Sequence, residues 1–81
     1  MAENSVQLLL AVQAALAGDW QKSHNIAQEY NDATANWIHA VLHKIEGDVW
    51  NSNYWYAQTA GKQYADFIDT TAELKAIASL L

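Results

Sequence analysis

Three histidines and a glutamate are the side chains of this sequence whose types and spacing best suit metal chemistry. His39 and His43 lie four positions apart and Glu46 follows three positions later, so a helix would carry them on neighbouring turns. An antiparallel helix before them, turning at residues 31–32, would bring His24 level with His39. Three imidazoles and a carboxylate from two adjacent helices form a ligand set for zinc or a similar divalent ion. Metal binding is therefore one hypothesis for this chain.

A structural role for the same histidines is the competing interpretation. An imidazole at a helix interface is commonly satisfied by a tyrosine hydroxyl or a backbone carbonyl and needs no ion. Tyr56 and Asn53 are the expected partners of His24 and His39, whereas His43 is expected on the side of its helix that faces water. We therefore favour a polar network without a cofactor and keep a divalent metal site as the alternative.

The sequence offers little support for catalysis. It contains no cysteine, no glycine-rich loop that would hold a phosphate and no nucleophile elbow. Ser23 is adjacent to His24, and neighbouring residues on a helix point in different directions, so this pair does not form a nucleophile and its base. We predict that the protein is not an enzyme.

Hydrophobic periodicity and two glycine–aspartate pairs predict an all-α fold. The sequence has no proline, and Gly18–Asp19 and Gly47–Asp48 each suit a glycine that ends one helix and an aspartate that caps the next. Asn4 or Ser5 is expected to cap the first helix, and Gln7 completes a capping-box-like pattern with Asn4; Thr70 with Glu73 forms the capping box that starts the last helix. The expected helices span about residues 6–17, 20–30, 33–46, 49–60 and 70–81, while 62–69 form a helical turn or a packed loop. We expect one domain, 1–81, made of two antiparallel hairpins and a C-terminal helix.

Aromatic side chains are concentrated between residues 37 and 61, which hold three of the four tryptophans. Four large aromatics are expected in the core: Trp20, Trp37, Trp50 and Tyr56. Tyr54 and Trp55 lie at the edge of the predicted buried face, and the first helix, which includes Leu9, is apolar over more than half of its circumference. Exposed aromatics on a small domain often mark an interface. We expect self-association or a protein partner there, with a small-molecule pocket as the second hypothesis.

The charge balance excludes some classes of partner. Four basic and nine acidic residues give a net charge of −5, and no basic run occurs, so nucleic acids and anionic membrane surfaces are not expected partners. The most apolar stretch, 6–17, is too short to span a bilayer. Small secreted domains usually depend on disulfides, so the lack of cysteine favours a cytoplasmic location.

The two glycine–aspartate pairs stand 29 positions apart, and each joins an apolar helix to an amphipathic one. This arrangement resembles the tetratricopeptide helical hairpin, although its spacing is shorter than that repeat's. The resemblance implies antiparallel hairpins stacked side by side. Two copies are too few for a solenoid, so we carry over the geometry and not the peptide-binding role.

A second resemblance rests on a longer string of residues. The motifs are Trp20-x3-His24-x3-Gln28, Trp37-x-His39-Ala40-x2-His43, Glu46-Gly47-Asp48-x2-Asn51, Tyr54-Trp55-Tyr56 and Ala60-Gly61. On these residues, which cover about the middle half of the chain, the protein resembles a group of small bacterial all-helical proteins without an assigned activity. The resemblance implies a bacterial origin and a helical fold. Gln58 and Thr59 stand where basic residues are expected in that group, so it implies no anion-binding role here.

These observations together predict a non-enzymatic helical interaction module that self-associates. The alternative is a small metal- or small-molecule-binding protein that uses a seam of His24, His39, His43 and Glu46. In either case the expected partner is a protein or a small ligand rather than a nucleic acid or a membrane.

Overall fold

Five α-helices make up the fold in the computed structural model, which describes residues 4–81. They are α1 (Ser5–Leu16), α2 (Trp20–Ala27), α3 (Ala33–Ile45), α4 (Val49–Tyr56) and α5 (Thr70–Ala78), with a single 3₁₀ turn, Tyr64–Asp66, between α4 and α5. No strand occurs in this range, and the all-α prediction is confirmed. α1 packs on α2, α3 packs on α4, and α5 lies against both α1 and α3.

Each hairpin turns at a glycine–aspartate pair, and the two turns have the same geometry. Gly18 and Gly47 have φ values of 85° and 82°, in the left-handed region that glycine adopts without steric cost. The carboxylates of Asp19 and Asp48 then each accept a 3.2 Å hydrogen bond from the backbone N–H three residues on. These bonds satisfy donors at the helix N-terminus, so the predicted glycine stops and aspartate caps are confirmed.

A buried serine in each hairpin ties the second helix to the first. Ser23 Oγ donates to the carbonyl of Ala11 at 2.7 Å, and Ser52 Oγ donates to the carbonyl of Ala40 at 2.7 Å. Ser23 and Ser52 are separated by the same 29 positions as the glycine–aspartate pairs. The two hairpins are therefore repeats of each other at the level of individual hydrogen bonds, while the tetratricopeptide likeness remains a resemblance.

α3 is the central helix and is covered on most sides. Its residues 35–42 are all buried, and α1, α2, α4 and α5 all pack against it. The aliphatic core consists mainly of Leu8, Val12, Ile38, Val41, Leu42, Leu74 and Ile77. Because α3 is enclosed in this way, its polar side chains must find partners inside the protein.

α2 and α4 are shorter than the sequence predicts. The periodicity extends them to Tyr30 and Ala60, but they end at Ala27 and Tyr56. After both ends the backbone N–H groups bond to carbonyls three residues back, as Tyr30 does to Ala27 and Thr59 to Tyr56. Thr59 Oγ1 also donates to the Tyr56 carbonyl at 2.7 Å, which competes with a further helical turn.

Asn4 is the N-cap residue of α1 as predicted, but neither predicted capping box forms. The Asn4 side chain caps no N–H of α1 and instead donates to Asp32 Oδ1 at 2.6 Å. The N-cap of α5 is Asp69 rather than Thr70, and Asp69 Oδ1 accepts a 2.9 Å bond from the backbone N–H two residues on. Glu73 is turned into the interior. Asn4 and Glu73 therefore bond to residues distant in the sequence instead of to the first turns of their own helices.

No helix within residues 4–81 combines the length and the apolar character needed to cross a membrane. The longest, α3, has 13 residues, against about 20 for a transmembrane helix. The cytoplasmic location and the lack of a nucleic-acid partner stay predictions.

Candidate functional site

The three histidines lie together where α2 packs on α3. One nitrogen from each of His24, His39 and His43 lies within 4.8 Å of the other two, and we call these residues the histidine cluster. The ring centroids of His24 and His39 are 4.6 Å apart, and those of His39 and His43 are 5.0 Å apart. The predicted pairing of His24 with His39 across two helices is therefore confirmed.

Two tryptophan rings stack on the histidine cluster. Trp20 lies 4.8 Å from His24 with the ring planes 10° apart, and its Nε1 donates to the Leu42 carbonyl at 2.7 Å. Trp55 lies 3.9 Å from His39 with the planes 11° apart. These stacks restrict the planes of two of the three imidazoles and shield one face of each from water.

His43 belongs to the cluster, although the sequence predicts it in water. Its side chain is only 13% exposed, and its Nδ1 lies 2.6 Å from Oε1 of the more exposed Glu46. Its ring also meets Trp20 edge-on, with centroids 6.1 Å apart. The prediction is wrong because it assumes a helix covered on one side, whereas α2 also covers the turn of α3 that carries His43.

The polar partners predicted for the histidines bind elsewhere. The Tyr56 hydroxyl donates to Glu73 at 2.6 Å, and Asn53 Nδ2 donates to the Val49 carbonyl at 3.2 Å. The reason is the rotation of α4, which turns Ser52 and Tyr56 into the core. The histidines contact one another and the two indole rings instead.

Burial and mutual proximity favour the neutral form of the buried imidazoles. Burial, assisted by the neighbouring His24 and His43, lowers the pKa of His39 from 6.5 to about 4. Burial also lowers the pKa of His24; nearby His43 adds to this effect and Glu46 opposes it. His39 is therefore uncharged at pH 7, which is the form in which histidine binds metal ions.

A second surface of interest lies on the solvent side of α4. Trp50 is 73% exposed, Val49 51% and Tyr54 49%. The rings of Trp50 and Tyr54 stack with centroids 5.9 Å apart and planes 12° apart. With Asn53 these residues line a shallow depression, which we call the outer α4 face. The core position predicted for Trp50 is wrong, because the buried side of α4 is the side of Ser52.

The three predicted interaction residues occupy different environments. Tyr54 is exposed on the outer α4 face. Trp55 is half-buried against His39, and Leu9 is half-buried on α1. Of the three, Tyr54 is the one whose ring is open to a partner.

A buried ion pair on another side of α3 has no counterpart in the sequence analysis. Lys44 Nζ lies 2.9 Å from Glu73 Oε1 and donates to the carbonyls of Tyr64 and Phe67 at 2.8 and 2.9 Å. Glu73 has no exposed surface and also accepts a 2.8 Å bond from Trp37 Nε1. Lys44 and Glu73 thus hold α5 and the 3₁₀ segment against α3, which is a structural role.

Comparison with known proteins assigns no role to these features. No protein-family model, no curated protein and no solved structure matches the chain significantly.

Proposed function

We propose that the protein is a non-enzymatic helical interaction module that binds a second copy of itself through the outer α4 face. The observation that carries this proposal is the exposure of Trp50, which is stacked on Tyr54 and 73% open to solvent. Tryptophan and tyrosine are enriched at interfaces because they bury a large apolar area and keep one polar atom for a hydrogen bond. A partner that covers both rings removes this apolar area from water.

The internal repeat indicates what kind of surface fits the outer α4 face. Trp20 and His24 of α2 pack against α3 of the second hairpin. The residues 29 positions later are Val49 and Asn53, and both line the outer α4 face. That face is thus where a third hairpin would continue the stack. In a dimer with two-fold symmetry, the second hairpin of another copy takes this place, and the outer α4 face of each copy is covered by that of its partner.

The charge distribution favours the same partner. The chain carries a net charge of −5, so two copies repel each other over much of their surface. The segment Val49–Tyr56 contains no charged residue. Two acidic copies that meet at this helix avoid placing like charges opposite each other.

The small size of the outer α4 face predicts a weak association. A specific interface usually buries about 800 Å² on each partner, which is more than four side chains on a two-turn helix provide. We therefore expect dimers at high micromolar concentration rather than an obligate dimer.

Sedimentation equilibrium from about 10 µM to about 1 mM tests this proposal. The average mass is expected to rise with concentration toward that of a dimer, and Trp50→Ser is expected to abolish the rise. Ile68→Ser is the matched control, because Ile68 is a fully exposed apolar residue outside α4. The mass of one chain at every concentration would refute the proposal, as would an equal effect of Ile68→Ser.

A further inference from the structure

The ligand atoms of the histidine cluster converge at a place that the proposed self-association does not use. Two packed helices supply them, His24 from α2 and His39 and His43 from α3, with one nitrogen of each within 4.8 Å of the others. We propose that the histidine cluster binds one divalent transition-metal ion of the zinc class. This proposal does not depend on the outer α4 face.

The chemistry of the donors selects this class of ion. Three imidazoles without a thiolate suit Zn²⁺, Co²⁺, Ni²⁺ or Cu²⁺, whereas Mg²⁺ and Ca²⁺ prefer a shell of carboxylate and carbonyl oxygens. Three histidine ligands leave one tetrahedral position for water or a small anion.

Coordination requires a modest movement of the rings. Zinc–nitrogen bonds of about 2.0–2.1 Å at tetrahedral angles place two ligand nitrogens about 3.3 Å apart. The ligand nitrogens now lie up to 4.8 Å apart, so two nitrogens at that distance must approach each other by about 1.5 Å. The planes of His39 and His43 lie only 19° apart, so their lone pairs do not meet at one point. Because His39 is held by the stacked Trp55 ring, His43 is the ring that turns. It pivots about its Nδ1 contact with Glu46, so that Nε2 moves toward the other two imidazoles.

Glu46 positions His43 for this role. Its Oε1 lies 2.6 Å from His43 Nδ1, which favours the proton on Nδ1 and leaves the Nε2 lone pair for the ion. A carboxylate behind a ligating histidine orients the ring and raises its basicity. Glu46 is thus a positioning residue, whereas the sequence pattern predicts it as a fourth metal ligand.

Calorimetric titration of the Trp50→Ser variant with ZnCl₂ tests the proposal in a chain whose outer α4 face is disabled. One ion per chain is expected, and Co²⁺ in place of Zn²⁺ is expected to give the visible absorption of a tetrahedral site. His24→Gln and His43→Gln are each expected to lower the affinity by about 100-fold or more, and Glu46→Gln by about 10-fold or more. Circular dichroism verifies that each variant is folded.

The controls separate a built site from adventitious chelation. Glu29→Gln matches Glu46→Gln, because Glu29 is an exposed acid on the turn after α2, and it is expected to leave the affinity unchanged. No binding at about 100 µM zinc overturns the proposal. Unchanged affinity in His24→Gln also overturns it, since His39 and His43 alone form a two-point chelate on one helix.

Discussion

Replacing Glu73 with alanine removes the acceptor that joins three parts of the fold. Glu73 is fully buried on α5. It accepts from Trp37 Nε1 at 2.8 Å, from the Tyr56 hydroxyl at 2.6 Å and from Lys44 Nζ at 2.9 Å. Alanine leaves a buried ammonium group and two ring donors without this acceptor. The change therefore lowers the free energy of unfolding.

The size of this loss follows from the burial of the pair. Removing one partner of a buried ion pair costs about 3–5 kcal/mol. An 81-residue chain has a total stability of about 4–12 kcal/mol, at about 0.05–0.15 kcal/mol per residue. We expect Glu73→Ala to lower the free energy of unfolding by about 4 kcal/mol. At about 4–8 °C per kcal/mol for a domain of this size, Tm falls by about 15–30 °C.

Urea denaturation followed by far-UV circular dichroism measures the loss. Glu73→Gln is the matched control, because it keeps the shape and one acceptor oxygen, and it is expected to cost about 1–3 kcal/mol. The double variant Lys44→Met/Glu73→Leu replaces both charges with apolar groups and is expected to be more stable than Glu73→Ala. A loss below about 1 kcal/mol in Glu73→Ala would contradict the buried network, because a solvent-exposed ion pair contributes no more than that to stability.

Two further predictions concern the histidine cluster and the repeat. Because burial lowers the pKa of His39 from 6.5 to about 4, the unfolded chain binds this proton at a higher pH than the folded protein does. The free energy of unfolding therefore falls as the pH drops from 6.5 toward 4, by at most about 1.4 kcal/mol per pH unit. Urea denaturation between these pH values, with a chelator present, is expected to show a flatter profile for His39→Gln; parallel profiles would contradict the assignment. Ser23→Ala and Ser52→Ala are each expected to cost about 0.5–1.5 kcal/mol in the same assay at pH 7, because each removes a buried hydrogen bond to a helix carbonyl. A cost confined to one serine would show that the hairpins are not energetically equivalent.

Features that depend on neighbouring residues are predictable from this sequence. Each glycine–aspartate turn needs only a residue that accepts positive φ and a carboxylate beside a helix N-terminus. The contact of His24 with His39 follows as well, since the position of the turn between antiparallel helices determines which residues lie level.

The buried ion pair is not predictable in this way. Glu73 fits a capping box with Thr70, but that local pattern does not predict that α5 packs against α3. The available signal is that Glu73 lies four positions before Ile77, so the two share a helix face. Selecting the buried role also requires knowing that Lys44 approaches that face.

The rotation of α4 explains why Trp50 is exposed and Trp55 is half-buried, which is the reverse of the sequence prediction. Spacing alone permits either Trp50 or Trp55 on the core side. Ser52 decides between them, because a small side chain lets α4 approach α3 closely enough to donate to the Ala40 carbonyl at 2.7 Å. That bond turns Trp50 toward solvent and Trp55 toward His39.

The internal repeat separates what the hairpin scaffold needs from what the second hairpin adds. The buried serines and the glycine–aspartate turns recur in both hairpins and belong to the scaffold. The positions of His39 and His43 correspond to Leu10 and Ala14, 29 residues earlier, where aliphatic side chains occupy the same hairpin geometry. Burying imidazoles at these positions costs desolvation of their ring nitrogens, and it opposes their protonated form, as the lowered pKa of His39 shows. An aliphatic pair avoids both effects. The individual hairpin does not need these rings, which lie at the contact between the two hairpins. A bound ion would offset their cost, so substitutions there are expected to change ion binding more than folding.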